Sequence, residues 1–284
     1  MIDGIDHLVF VCGNLEAAKA DYSALLGREP DWHAIDNTAG TATVLFRVDN
    51  MAVELFGPHG EGPVGAKLQA MVQAGNEGLS SIAFSCADIE EIHNKYMRLG
   101  LFPSDISEGK SEDIQSGKQR IWRRIRLDTQ RTQGVRHFII ENGEGGDILP
   151  RACGDDCVSS LDHVVINSPN ADRAAALYGA RLGAELRLDL ERPDLASHFQ
   201  FFRVGAATLE VVSRIGVEAD NDSDDTLWGV SWSVKDIKAA HERVKKAGFR
   251  VTDIRSGRKN GSLVFTVLDR TCNTPTLFIQ QPTQ

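Results

Sequence analysis

Read for its apolar and polar positions, the chain repeats one short pattern. From Ile5 to Cys12 nearly every position is apolar, as in a strand buried on both faces, and His7 interrupts the run. Asn14 stands where a helix N-cap belongs, and Leu15, Ala18, Tyr22 and Leu25 follow at helical spacing up to Gly27. An aromatic and polar segment (Asp31, Trp32, His33), a β-rich run from Thr41 to Val48, a turn at Asp49-Asn50 and a short strand from Ala52 to Phe56 complete the unit. The pattern predicts strand, helix and three strands over 1–56.

The same unit returns at one constant offset: Asp6-His7 meets Asp162-His163, Asn14 meets Asn170, Tyr22 meets Tyr178, Arg47 meets Arg203 and Glu54 meets Glu210. After a Gly- and Pro-rich connector, a second strand (Ser81 to Cys86) and a helix capped by Asp88 and carrying Ile89, Ile92, Tyr96 and Leu99 open another unit. Its later copy runs from Gly229 through the cap Asp236 to Ile237, Ala240, Val244 and Gly248. The tails of these two copies differ, because Ser107 to Gln119 is longer and more polar than Arg255 to Gly261. Four βαβββ modules follow, in two pairs: 1–56 with 79–142, and 160–213 with 226–282. The expected organisation is an N-terminal domain over 1–142, a Gly- and Asp-rich linker over 143–159, and a C-terminal domain over 160–284. A second hydrophilic bridge, Val217 to Thr226, reads as a solvated loop.

Composition narrows the class. At 284 residues the chain has room for two domains, each able to bury a core, and 42% hydrophobic with 25% charged residues is ordinary for a globular protein. A net charge of −9 argues against a nucleic-acid partner, which leaves a basic footprint. No apolar run reaches the roughly 18–20 residues of a membrane span, and no basic leader precedes the first strand, so no membrane partner and a cytoplasmic location are expected. Five scattered cysteines do not form a disulfide framework, and Cys153 with Cys157 is the one close pair in sequence.

A duplicated βαβββ unit with Asp-His in its first strand and an apolar-Glu-apolar last strand resembles the vicinal oxygen chelate superfamily. That group includes glyoxalase I, extradiol dioxygenases, fosfomycin resistance enzymes and bleomycin resistance proteins. The resemblance covers nearly the whole chain and implies an α+β fold in which the four modules pair into two cup-shaped antiparallel-sheet domains. It also implies a divalent metal (Zn, Ni, Mn or Fe) on a cup floor, with ligands from the first and last strands of each module. Carried over by position, the N-terminal cup offers His7, Glu54 and Glu141, with Ser81 where a second histidine often stands. His137, sharing a strand face with Glu141, is a substitute ligand. The C-terminal cup offers a weaker set, His163 and Glu210, with Gly229 and then Gln280 or Ile279 at the remaining positions.

Such a donor set would leave coordination positions open for a small oxygenated molecule, and Glu141 could serve as catalytic base. The expected activity is that of a glyoxalase-like isomerase or lyase. The missing 2-His-1-carboxylate set weakens a ring-cleaving dioxygenase reading. Ser81 and Gly229 favour the rival, a metal-free small-molecule binding or sequestering protein of the bleomycin-resistance type. Arg123, Trp228 and Trp232 are candidate substrate contacts, although a solvated face and core packing explain the same residues. The C-terminal pair could also act as a lid or as the surface of a homodimer.

Overall fold

The computed structural model describes residues 1–218, 220 and 222–282, so Ala219 and Asn221 of the acidic bridge and the last two residues of the C-terminal domain lie outside the described residues. In the first module β1 (Ile2–Val11) leads into α1 (Leu15–Leu26), then β2 (Trp32–Asp36), β3 (Thr41–Val48) and β4 (Met51–Pro58). Helix α2 (Pro63–Gln73) crosses to β5 (Gly78–Cys86), α3 (Ile89–Arg98), β6 (Ser107–Glu112), β7 (Gln119–Arg126) and β8 (Arg136–Asn142). The second half repeats the order as β9 (Val158–Asn167), α4 (Ala171–Ala174) continued by a π-helical segment Ala175–Arg181, β10 (Glu185–Arg192), β11 (Ser197–Val204) and β12 (Ala207–Arg214). It ends with β13 (Thr226–Val234), α5 (Ile237–Lys246), β14 (Arg255–Ser256), β15 (Leu263–Val267) and β16 (Thr276–Gln280). No helix among the described residues is long and apolar enough to cross a membrane.

The module helices begin where the sequence predicts. Asn14, Asp88, Asn170 and Asp236 each accept a hydrogen bond from a backbone N–H of the first turn, satisfying donors that the helix itself cannot. Gly27 closes α1 at φ 73, a left-handed conformation that costs glycine little. In α1 the buried stripe is Leu15, Ala18, Tyr22, Leu25 and Leu26.

Each half forms one eight-stranded sheet, in the orders β2-β3-β4-β1-β5-β8-β7-β6 and β10-β11-β12-β9-β13-β16-β15-β14. The modules join along the antiparallel pairs β1–β5 and β9–β13. Within each module, however, the first and last strands run parallel, as in β1–β4 and β5–β8, so the sheets are mixed rather than wholly antiparallel. The first sheet closes on itself: the His33 N–H donates to Asp113 Oδ1 (2.9 Å) and the Ile114 N–H to the His33 carbonyl (2.8 Å), tying the loop after β6 to β2. Strand β14 has only two residues, and among the described residues no hydrogen bond joins it to β10, so the second cup stays open.

The expectation of two separate cores gives way to one shared core. The helices lie between the sheets: Tyr96 Oη donates to the Leu182 carbonyl (3.1 Å), Tyr22 Oη to the Thr271 carbonyl (3.3 Å), and buried side chains from both halves form a continuous apolar cluster. Each helix layer thus buries its apolar side twice over, against its own sheet and against the other half. The segment 143–159 is also docked. Gly143 and Glu144 exchange backbone hydrogen bonds with Ile121, and Ile148 packs on a small cluster of Trp32, Ala34 and Leu45 inside the first cup.

Candidate functional site

On the concave face of the first sheet the alternation of β1 presents His7 and that of β4 presents Glu54, while their neighbours Leu8, Val53 and Leu55 point into the core. His7 Nε2 lies 3.0 Å from Glu54 Oε2, and His7 Nδ1 lies 2.6 Å from Asp6 Oδ1. Asn142, at the end of β8, donates to Asp6 Oδ2 (2.7 Å). Burial opposes charge on the imidazole, but the charge of Glu54 and the hydrogen bonds that the imidazole donates to both carboxylates outweigh it, raising His7 to about 9. Burial likewise opposes ionisation of Asp6, yet the His7 and Asn142 contacts hold it down at about 2. At neutral pH the site is therefore an imidazolium clamped between two carboxylates.

The second cup repeats this arrangement. His163 Nδ1 is 2.7 Å from Asp162 Oδ1 and Nε2 is 2.9 Å from Glu210 Oε2, and Gln281 donates to Asp162 Oδ2 (2.7 Å) in the role of Asn142. Against the opposing effect of burial, hydrogen bonds that the imidazole donates to Asp162 and Glu210 raise His163 to about 9. Ser231 Oγ adds a contact at 2.8 Å to His163 Nε2, where the first cup has Ala83.

The pairing of strands fixes which residues occupy the four metal-ligand positions of each cup. Counting back from the caps Asn14 and Asp88, His7 corresponds to Ser81, and Val9 to Ala83; the parallel-strand partners of the latter two are Glu54 and Phe138. In the second cup the same count gives His163, Gly229, Glu210 and Leu277, so neither Gln280 nor Ile279 takes the last position. Each cup thus supplies two donors, and in each both histidine nitrogens already face carboxylates. Among the described residues no three His, Cys, Asp or Glu side chains are gathered to hold an ion. The donor set does not fit a resident divalent metal.

Several candidate residues lie elsewhere. His137 and Glu141 do share a face of β8, but it is the helix-side face. Glu141 accepts from Arg123 Nε (2.6 Å), and Arg123 also pairs with Glu90 of α3. Arg123 therefore does not enter the cup. His137 is fully buried between Phe84 and Tyr178, at ring-centroid distances of 5.5 and 5.8 Å, and burial lowers it to about 3, leaving it neutral. Trp232 is fully buried in the shared core, and Trp228 is half exposed at a bulge in β13. None of these five residues reaches His7 and Glu54.

Of the residues that do surround them, Arg47 reads from the sequence as a brace of the sheet and Arg120 as part of a solvated basic strand face. A shallow cleft, open to solvent, is lined by Asp6, His7, Arg47, Arg120, Asn142 and Ile148 among others. The Arg120 guanidinium sits over Trp32 and Trp122, at 5.3 and 4.9 Å from the ring centroids, and its charge helps to hold Glu54 ionised. Arg47 Nη1 reaches the Asp6 carbonyl at 3.4 Å. The signal was present in the repeated Asp-His dipeptide and in the basic run 120–126, but the parity of that run selects Arg120 rather than Arg123.

Residues 5–155 match the family model of the glyoxalase-like domain, and residues 162–265 that of the glyoxalase/bleomycin resistance protein/dioxygenase superfamily. A stretch of 100 residues is 29% identical to an ethylmalonyl-CoA/methylmalonyl-CoA epimerase from Cereibacter sphaeroides, covering 33% of this chain and 75% of that protein. A 4-hydroxymandelate synthase mutant from Streptomyces coelicolor shares the fold with a TM-score of 0.69 at 12% identity, over 98% of this chain and 92% of that one. A Mn(II)-bound glyoxalase from Novosphingobium aromaticivorans does so with a TM-score of 0.66 at 12% identity, over 99% and 83%. With a domain model spanning over half its length and the duplicated cup architecture in both halves, the chain belongs to the glyoxalase/bleomycin resistance protein/dioxygenase superfamily of vicinal oxygen chelate proteins.

Proposed function

We propose that the protein binds a small organic anion in its N-terminal cup, through Arg120 and Arg47, with the charge of the protonated His7 beside them and no metal ion as intermediary. The observation that carries this reading is the Asp6–His7–Glu54 clamp beside two guanidinium groups. Three cations face two carboxylates there, so the cleft carries an excess positive charge that a ligand carboxylate would balance. A guanidinium packed over two indoles loses little freedom on accepting such a group, and its fork matches the two oxygens. The cleft is open to solvent, which favours a small ligand that leaves part of itself exposed. An imidazolium that already donates both N–H groups is a poor general base below pH 9, which favours binding over proton abstraction.

The test is calorimetry and thermal shift with a panel of small carboxylates on chelator-treated protein. We expect saturable binding that survives the chelator and weakens at least about tenfold in Arg120→Ala, a loss of about 1.4 kcal/mol. Binding seen only after Mn, Ni, Zn or Fe is added overturns the reading.

One observation favours a second reading, a metal-dependent isomerase: the likeness of 100 residues to the Cereibacter epimerase. It makes His7 and Glu54 two ligands of a divalent ion. It predicts a melting temperature that rises with one of those metals and a rise that Glu54→Ala abolishes.

A further inference from the structure

The five cysteines include a pair that the sequence hides. Cys12, buried just past the end of β1, and Cys272, half-buried in the loop between β15 and β16, lie Sγ to Sγ at 3.4 Å although they belong to opposite halves of the chain. The loop carrying Cys272 is pinned to the first half from three sides. Tyr22 Oη donates to the Thr271 carbonyl (3.3 Å), Arg270 Nε to Asp21 Oδ1 (2.8 Å), and the Leu79 N–H to Thr274 Oγ1 (3.0 Å). Within it Arg270, Cys272 and Asn273 all take left-handed backbone conformations, at φ 56, 47 and 53. Arginine and cysteine seldom adopt that region unless their surroundings hold them there, and the resulting shape brings the Cys272 thiol to Cys12.

We propose that Cys12 and Cys272 form a site of reversible thiol oxidation, whose disulfide joins the two halves of the protein covalently. This inference is independent of what the cups bind. The oxidant class is a hydroperoxide. Cys272, the more accessible sulfur, attacks the peroxide oxygen; an S–O bond forms, the O–O bond breaks, and the alcohol or water leaves with the thiol proton. The Cys12 sulfur then attacks the sulfenic sulfur of Cys272, the S–S bond forms, and hydroxide departs as water with the Cys12 proton. Two thiols and one hydroperoxide thus give one disulfide, one alcohol or water, and one water. Bonding distance requires the sulfurs to approach by about 1.4 Å.

The only other close thiols are Cys153 and Cys157 in the linker, where Cys153 Sγ accepts from Arg28 Nη2 (2.9 Å) and Cys157 Sγ donates to the Gly27 carbonyl (2.9 Å). The experiment must therefore discriminate between pairs. Reduced full-length protein is treated with a few equivalents of hydrogen peroxide, the remaining thiols are alkylated under denaturing conditions, and the peptides are mapped without reduction. We expect three alkylated thiols in place of five, a cross-linked peptide joining Cys12 to Cys272, reversal by dithiothreitol, and a melting temperature raised by several degrees because so long a loop is closed. Cys12→Ser and Cys272→Ser should each abolish the cross-link, and Cys153→Ser should leave it intact. A bridge found only between Cys153 and Cys157, five thiols still free, or Cys272 driven to sulfinic acid without a bridge overturns the proposal.

Discussion

The two cups share an aspartate, a histidine, a glutamate and a terminal amide in matching places, yet different surroundings close over them. In the first cup the six residues of β6 and the loop behind them reach β2, Ile148 of the linker covers Trp32 and Leu45, and Arg120 lies between two indoles. In the second, β14 is a two-residue remnant, and Leu188 and Leu190 of β10 stand 48% and 40% exposed beside their strand partners Phe201 and Phe199. There Arg258 stacks over Phe199 at 4.9 Å and stays 3.9 Å from Glu210. A clamp that persists in both a closed and an open setting belongs to the module itself; the two cups differ in what covers it.

The largest effect should come from the matched positions Trp32 and Leu188. Trp32→Ala should cost about 3–5 kcal/mol in chemical denaturation, as for other buried aromatic truncations, and Leu188→Ala less than about 0.5 kcal/mol. Equal costs would mean that the second cup is covered in solution. Next comes the contrast between histidines on opposite faces of the first sheet. His137 is neutral when folded and has an ordinary pKa when unfolded, so stability should fall as pH drops from 6.5 towards 3, by about 3 kcal/mol at pH 4. In His137→Phe that part of the acid sensitivity should vanish. His7 has the opposite sign: its folded pKa is raised, so its contribution is complete below pH 6.5 and is lost as pH rises through 9.

Smaller again, Glu54→Gln and Glu210→Gln should each lower the pKa of their own histidine, read by NMR titration of the imidazole, and cost about 1–3 kcal/mol near pH 6. If one histidine fails to move, the clamps are not equivalent. The smallest effect belongs to Arg258→Ala, which should change stability by less than about 0.5 kcal/mol and leave anion binding by the first cup untouched.

Much of this was legible in the chain. The caps Asn14, Asp88, Asn170 and Asp236 and the apolar stripes behind them located the modules, and the longer Ser107–Gln119 tail marked where the two copies differ. What sequence could not show was parity. A strand puts alternate residues on opposite faces, so a shift of one position decides whether Glu141 or Asn142 enters the cup. That register is set by the turn at 128–135, where Asp128 and Thr132 bond to nearby backbone groups, and no periodicity reveals it. The shared core was invisible for a related reason. An apolar helix stripe looks the same whether it covers its own sheet or also faces a neighbouring domain, and Tyr178 against His137 belongs to the second case.

The helix layer between the sheets has a consequence for the chain as a polymer. Each half alone would present to water the aromatic and aliphatic surface that now holds Tyr96, Tyr178 and Leu182, and such a fragment would dimerise or aggregate through it. The tether over 143–159 turns that association into an intramolecular event at an effective concentration of roughly millimolar, so the halves find each other before they find a neighbour. Cutting the tether should leave a noncovalent pair whose melting temperature depends on protein concentration.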